Sequence, residues 1–284
     1  MGTLYLVATP IGNLEDITLR ALRVLREVAL VACEDTRHTS KLLAHYGIAT
    51  PRKSYHEFNE ECRVPQLLAL LRAGEDVALV SDAGTPLVSD PGFEIVAACR
   101  REGLPVIPVP GASAAVAALV GSGLPSDSFH FAGFLPSRGG ERRRRLEELS
   151  AIPATLVLYE APHRLLDSLQ DMADVLGPRR AALCRELTKM HEEFLCGTLP
   201  EVLDGLRERP EVRGEITLVV ERGGEGGRAA APPGYPASIK EHLDAELSGG
   251  ALSRNEALKA VARKRGIRRK EAYRLLQGEL DSTP

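Results

Sequence analysis

Apolar and polar positions alternate in blocks along the first 120 residues. Short apolar runs at 4–8, Leu30–Cys33, Val77–Val80 and Val106–Val109 each end in a polar or Gly/Pro-rich turn. Most of these turns lead into stretches with helical spacing: 17–28, 38–46 and 94–101, then an Ala-rich segment that stops near Gly121, while 64–72 is a further helical stretch. In 17–28, Leu19, Leu22, Val24, Leu25 and Val28 share one face, with Asp16 as the expected cap. Gly47 and Gly74 stop the second and third helices. A strand–loop–helix rhythm of this kind predicts a parallel sheet.

The pattern resumes after a hinge, Gly121-Ser122-Gly123-Leu124-Pro125. Strands are expected at 129–134, 154–159, 181–184 and Ile216–Val220, with helices at 141–149 and from Arg164 to near Leu176. Residues 223–236 are rich in Gly, Ala and Pro without apolar periodicity, as in a linker. Short helices follow at 238–247, 254–264 and 269–277. The expected organisation is α/β domain 1–121, a second α/β domain 122–222, linker 223–236 and a basic helical module 237–284.

The run 81–92, Ser-Asp-Ala-Gly-Thr-Pro-Leu-Val-Ser-Asp-Pro-Gly, follows the most apolar strand. Gly84 and Gly92 let a ligand approach the main chain, and Pro86 and Pro91 stiffen the loop. Asp82, Thr85, Ser89 and Asp90 offer side-chain oxygens. Open α/β sheets bind ligands at the carboxyl ends of their strands. The other strand-end loops likewise alternate Pro, Gly and small hydroxyls, which suits a ligand held by main-chain groups. Gly-x-Gly-x-x-Gly and Gly-x-x-x-x-Gly-Lys-Ser/Thr are absent.

Charge sharpens the picture only when it is divided. The chain of 284 residues has a net charge of −3, but residues 237–284 carry ten Lys/Arg against seven Asp/Glu. Within 252–277 there are nine basic residues and two acidic ones. That block suits phosphates. The five cysteines are far apart, and neither they nor the seven histidines have metal-ligand spacing; reduced thiols in a cytoplasmic protein, with no metal, are expected. Met1 to Pro10 lack a signal-peptide pattern, and no apolar run is long enough for a membrane span.

Several long motifs occur in one order: 7–14 (Val-Ala-Thr-Pro-Ile-Gly-Asn-Leu), 33–37 (Cys-Glu-Asp-Thr-Arg), the 81–92 loop, 110–114 (Pro-Gly-Ala-Ser-Ala), 159–164 (Tyr-Glu-Ala-Pro-His-Arg) and 186–189 (Glu-Leu-Thr-Lys). Together they resemble the ribosomal RNA small subunit methyltransferase I family of the tetrapyrrole-methylase superfamily, over about residues 3–221 and again in the terminal helices. The resemblance implies two α/β domains with S-adenosylmethionine in the cleft between them, a homodimer, and 2'-O-methylation of a cytidine in the decoding region of 16S ribosomal RNA, met either as free RNA or in the assembled 30S subunit. It implies that Pro10, Asp82, Gly84, Thr85, Ser113 and Ala114 line the cofactor pocket. Leu187, Gly214, Glu215 and Thr217 would close it from the second domain.

Methylating a ribose hydroxyl needs alignment of oxygen, methyl and sulfur, and a base for the proton. The strand-end candidates for polar work are Glu34, Asp35, Arg37, Glu160, His163, Arg164, Glu186 and Lys189. Arg37 and Arg164 are expected to hold RNA phosphates as forked cations. The base is either Lys189 or Glu160; a lysine base needs a pKa lowered by burial or a neighbouring cation. The competing reading makes Glu34/Arg37 and Glu186/Lys189 ordinary ion pairs three residues apart. Arg142 to Arg145, Arg142 and Arg143 above all, form either an RNA rim or a solvated helix face. In the tail, Ala257, Leu258, Val261 and Ala262 make an apolar stripe. Opposite it Lys259, Arg263, Lys264, Arg265, Arg268, Arg269 and Lys270 are read as a phosphate-binding face. A precorrin methyltransferase is the first rival, and the basic appendage argues against it. A non-catalytic RNA-binding protein is the second, and the densely furnished strand-end loops argue against that.

Overall fold

The computed structural model describes residues 1–223, 238–248, 254–264 and 272–277. The chain divides into two compact units, Met1–Gly223 and Gly224–Pro284.

The first unit contains two five-stranded sheets. Strands β1 (Leu4–Val7), β2 (Leu30–Cys33), β3 (Arg52–Ser54), β4 (Val77–Val80) and β5 (Val106–Val109) pair in parallel in the order β3-β2-β4-β1-β5. Helices α1 (Leu19–Glu27), α2 (Thr36–His45), α3 (Glu60–Arg72), α4 (Phe93–Arg101) and α5 (Ala114–Gly121) belong to this half of the chain. Successive side chains of a strand face opposite ways. Val77 and Leu79 of β4 enter one core with Leu67, Leu71 and Ile95, whereas Ala78 and Val80 enter another with Leu22, Leu25 and Leu43. Both faces are covered, which is why β4 is apolar at every position.

The second sheet has the order β6-β7-β10-β8-β9. Its strands are β6 (Phe129–Phe134), β7 (Thr155–Glu160), β8 (Arg180–Arg185), β9 (Glu193–Thr198) and β10 (Ile216–Val220). Only β6 and β7 pair in parallel. Helices α6 (Gly139–Ser150), α7 (Leu165–Leu176) and α8 (Leu199–Arg207) pack on one face, against Leu156, Leu158, Leu183, Leu218 and Val220. The other face is covered by α5. Ala115, Ala118 and Leu119 meet Val157, Ala182, Cys184 and Val219 there. A helix that follows the first sheet in sequence thus packs on the second. Gly121 at its end leaves room for the Phe194 ring, where a Cβ would lie 2.6 Å away.

Local differences from the sequence reading have simple causes. Thr18, not Asp16, caps α1, its hydroxyl accepting from Ala21 N; Asp16 closes a short 3-10 turn. Asp35 caps α2, so that helix starts before His38. The short polar strand β3, the edge strand β9 and helix α8 lie where no element was expected. Helix α8 carries a capping box between Thr198 and Glu201.

In the second unit, α9 (Ile239–Ser248), α10 (Arg254–Lys264) and helical residues 272–277 bury a small core. Ala257, Leu258, Val261 and Ala262 lie in it with Ile239, Leu243, Ala272 and Leu276. Lys259 is exposed. Arg263 and Lys264 end α10, but their side chains, like Arg265, Arg268, Arg269, Lys270 and most of the 223–236 linker, lie outside the described residues. No helix among the described residues is long and apolar enough to cross a membrane, and all five cysteines are free.

Candidate functional site

Three loops of the first sheet are stitched together at its carboxyl end. Thr9 N donates to Gly84 O at 2.8 Å, and Gly84 N donates back to Thr9 O at 3.1 Å. Thr9 Oγ1 donates to Ser81 O at 3.2 Å, and Thr85 Oγ1 donates to Ala112 O at 3.2 Å. The loops after β1, β4 and β5 therefore form one surface. Gly84 has φ +80, and a Cβ there would sit 3.3 Å from Ile11 Cγ2. Leu87 and Ser89 also take left-handed backbone angles, φ 71 and 65. Such angles cost energy in non-glycine residues and recur at functional loops.

The second sheet supplies a facing loop with the same character. Glu186 and Thr188 have φ 52 and 67. Glu186 Oε1 accepts from Lys189 Nζ at 2.8 Å and from Glu215 N at 2.9 Å. Gly214 is left-handed, and a Cβ on it would strike the Glu186 side chain.

Between these two surfaces lies a cavity of about 410 Å³, within the usual range of small-molecule sites. Asp82, Gly84, Thr85, Ser113 and Ala114 line it from the first half; Leu187, Gly214, Glu215 and Thr217 line it from the second. Pro10 is buried beside them, and it is Ile11 that reaches the cavity wall. Ser113 and Ala114 bring the start of α5 to the cavity, and no side chain caps that helix end. Asp90, read from the sequence as one of the loop's side-chain oxygens, also lines it, as do Phe134, Tyr159 and Cys184, to which the sequence reading assigned no role there. The signal was present for Tyr159 and Cys184, which end strands of the second sheet as Asp82 follows one of the first.

The electrostatics of the wall are acidic on the first-sheet side. Burial, with the charge of Asp82 next, raises the Glu34 carboxyl. Burial and the neighbouring Glu34 carboxylate push Asp90 up to about 6. Burial also raises the Tyr159 phenol, and it lifts the Cys184 thiol to about 12. Asp82 Oδ1 accepts from Asp35 N at 3.0 Å, which holds the loop after β2 against the loop after β4.

The residues expected to do the polar work are placed differently from expectation. Burial acts to lower Lys189, but Glu186 and Glu215 outweigh it and hold the ammonium above the usual lysine value. It is therefore a cation in a three-membered network and lacks the lowered pKa that a lysine base requires. Glu160 belongs to the cavity lining with its side chain fully enclosed; Oε1 takes hydrogen bonds from Ala161 N and Arg164 Nε, and Oε2 has no partner among the described residues. Arg164 pairs with that carboxylate through Nε and lies over the Phe134 ring, 5.9 Å from its centroid. Arg37 is 89% exposed, does not line the cavity, and forks onto Asp35 instead of pairing with Glu34. That pairing holds Asp35 down at about 2.

The basic start of α6 is corrected in the same way. Arg142 is buried and pairs with Asp171 of α7 at 2.6 Å. Burying a guanidinium is costly unless it is paired, and here it is the tie between two helices. Arg143 is half exposed and bridges Asp171 and Asp174. Neither an RNA rim nor a plain solvated face describes Arg142.

The comparisons with known proteins agree with this geometry. The family model for tetrapyrrole (corrin/porphyrin) methylases matches residues 3–203. A ribosomal RNA small subunit methyltransferase I from Halalkalibacterium halodurans is 50% identical over 98% of this chain and 96% of its own. The protein of that name from Escherichia coli O157:H7 is 45% identical over 96% and 94%. Among solved structures, uroporphyrin-III C-methyltransferase from Thermus thermophilus complexed with S-adenosylhomocysteine is 28% identical with a TM-score of 0.53, covering 78% of this chain and 97% of its own. Diphthine synthase has a TM-score of 0.61 at 16% identity, covering 78% of this chain and 90% of its own, and shares the fold alone. Matched by the family model over most of its length and by full-length relatives at such identity, the chain belongs to the tetrapyrrole methylases and, within them, to the ribosomal RNA small subunit methyltransferase I family.

Proposed function

We propose that this chain uses S-adenosylmethionine to methylate the 2'-hydroxyl of a cytidine in the decoding region of 16S ribosomal RNA, with the 30S subunit as substrate and a cytoplasmic homodimer as the working form. The observation that carries the reading is a cavity furnished by loops of both sheets in a chain 50% identical, across 98% of its length, to a ribosomal RNA small subunit methyltransferase I.

The wall fits such a cofactor. Its volume suits a nucleoside-sized molecule, and the carboxylate of Asp82 suits one that carries positive charge. Asp82, Gly84, Thr85, Ser113 and Ala114 would hold it from the first sheet, and Leu187, Gly214, Glu215 and Thr217 from the second. When bound, it supplies an electrophilic methyl group. The chain's own contribution is position: two pinned, strained loops fix the walls before the RNA arrives, so little order remains to be imposed on the reacting atoms. Buried, apolar Leu187 keeps water from one side of the cavity. The cationic tail, including Lys259, brings RNA to the unit by binding its phosphates.

Tritiated methyl transfer to 30S particles, naked 16S RNA and precorrins tests this reading. Label is expected in ribosomal RNA, as an alkali-resistant dinucleotide that begins with 2'-O-methylcytidine. Label in precorrins alone, or on a base instead of a ribose, overturns it. Sedimentation of the free protein at twice the chain mass supports the homodimer, and a monomer at assay concentration refutes it.

A further inference from the structure

We propose that Asp90 is the group that takes the proton from the ribose hydroxyl, an assignment that rests on the ribose methylation proposed above. The argument begins with the titratable groups in the cavity wall. Asp82 is occupied by the main-chain N–H of Asp35. Glu160 pairs with Arg164 through Oε1, and its unpartnered Oε2 is buried with no exposed surface for a hydroxyl to reach. Glu215 is 71% exposed and pairs with Lys189 at 3.2 Å. Tyr159 and Cys184 have raised pKa values and keep their protons near neutrality. Asp90 remains: a cavity-lining carboxylate engaged by no cation in the described residues.

Its surroundings suit the task. Glu34, from the loop after β2, and Asp82, from its own loop, are the charged groups that face it; the Tyr159 phenol of β7 faces it across the cleft, and the Ser81 hydroxyl stabilises its charge. Burial and those carboxylates bring it to about 6, so it is mostly ionised at neutral pH yet holds a proton better than an ordinary aspartate. The loop that presents it is fixed on both sides. Leu87 and Ser89 precede it in left-handed conformations, and Gly92, at φ 137, donates its N–H to Glu60 Oε1 at 2.8 Å. A Cβ on Gly92 would lie 2.8 Å from Leu79 Cδ2, so the turn is pressed against the core. In the reaction the hydroxyl oxygen bonds to the methyl carbon as the carbon–sulfur bond opens and leaves its electron pair on sulfur. The hydroxyl proton passes to an Asp90 oxygen and then to water.

The test compares wild type, Asp90→Asn and Asp90→Glu in the full chain. Single-turnover methylation of the RNA substrate is followed from pH 5 to 9, S-adenosylmethionine affinity by calorimetry, and carboxyl titration in the cofactor-free protein by carbon-13 NMR. Asp90→Asn is expected to slow methylation about 10²–10³-fold, to remove the acid limb near pH 6, and to leave cofactor affinity within about threefold. Asp90→Glu recovers part of the rate, and a carboxyl that titrates near 6 disappears from the Asn spectrum. An Asn variant that keeps the rate or the acid limb overturns the assignment. So does a loss confined to cofactor affinity, which makes Asp90 a donor-binding carboxylate. A wild-type chain that methylates no RNA overturns the parent reading and this one with it; an active wild type with an equally active variant overturns this one alone.

Discussion

Asn13 N donates to Thr188 Oγ1 at 3.1 Å, a bond between residues 175 positions apart that ties the first-sheet loop to the second-sheet loop beside the cavity. Gly12 lies against the neighbouring Lys189, with room for no Cβ. Thr188→Val keeps the side-chain shape and removes the acceptor. It should cost about 1 kcal/mol, read by urea unfolding, and weaken cofactor binding several-fold by calorimetry.

Lys189→Met should leave methylation within about tenfold of wild type, because the ammonium is a network cation and not the base. The Lys189 pKa is raised in the folded chain. Its contribution to stability is therefore fully present below the unfolded lysine value near 10.4 and is lost as pH rises through the higher folded value. Thermal melts of wild type and Lys189→Met should converge above about pH 10.4. A variant that is inactive at every pH restores the lysine base.

Arg142→Ala should destabilise by about 1.5–3 kcal/mol, because the buried Asp171 carboxylate keeps only the half-exposed Arg143 as a partner between α6 and α7. Whatever folds should bind RNA with unchanged salt dependence. A mutant of wild-type stability with weaker RNA binding contradicts the buried tie.

Glu193 is held down at about 2, by Arg209 first and Arg185 after it. This contribution is complete above the unfolded glutamate pKa and fades as pH falls toward 2. Glu193→Gln should lose about 1–2 kcal/mol at pH 7 after solvent screening. The difference from wild type should shrink in acid unfolding at pH 3.

Deleting 237–284 should weaken RNA binding and lower the slope of log affinity against log salt, by about one for each phosphate that the tail neutralises. An unchanged slope excludes the tail from the RNA interface.

The parallel first sheet and the strand-end loops were legible because burial on both faces makes strands such as Val77–Val80 apolar throughout. The cavity was legible where a motif put Gly, Asp or Thr directly after a strand. What sequence did not disclose was commitment. Glu160, Arg164, Arg142 and Lys189 have the residue types of a reactive site, and only three dimensions show their charges already spent on Arg164, Glu160, Asp171 and Glu186. Edge strands β3 and β9 escaped because edges tolerate polar residues and need no continuous apolar run. Helix α8 is written in the sequence by its Thr198/Glu201 capping box and by the helical spacing of Leu199, Val202, Leu203 and Leu206.

Helix α5 closes the first half of the chain and roofs the second sheet through Leu119 and the methyl groups of Ala115 and Ala118. Ala114, the first residue of the same helix, lines the cavity, so the closeness that these small side chains allow acts like a spacer between two plates. Swapping one for leucine would prise the plates apart without touching a single reactive group, and selectivity for the size of the donor would change while the chemistry stayed intact.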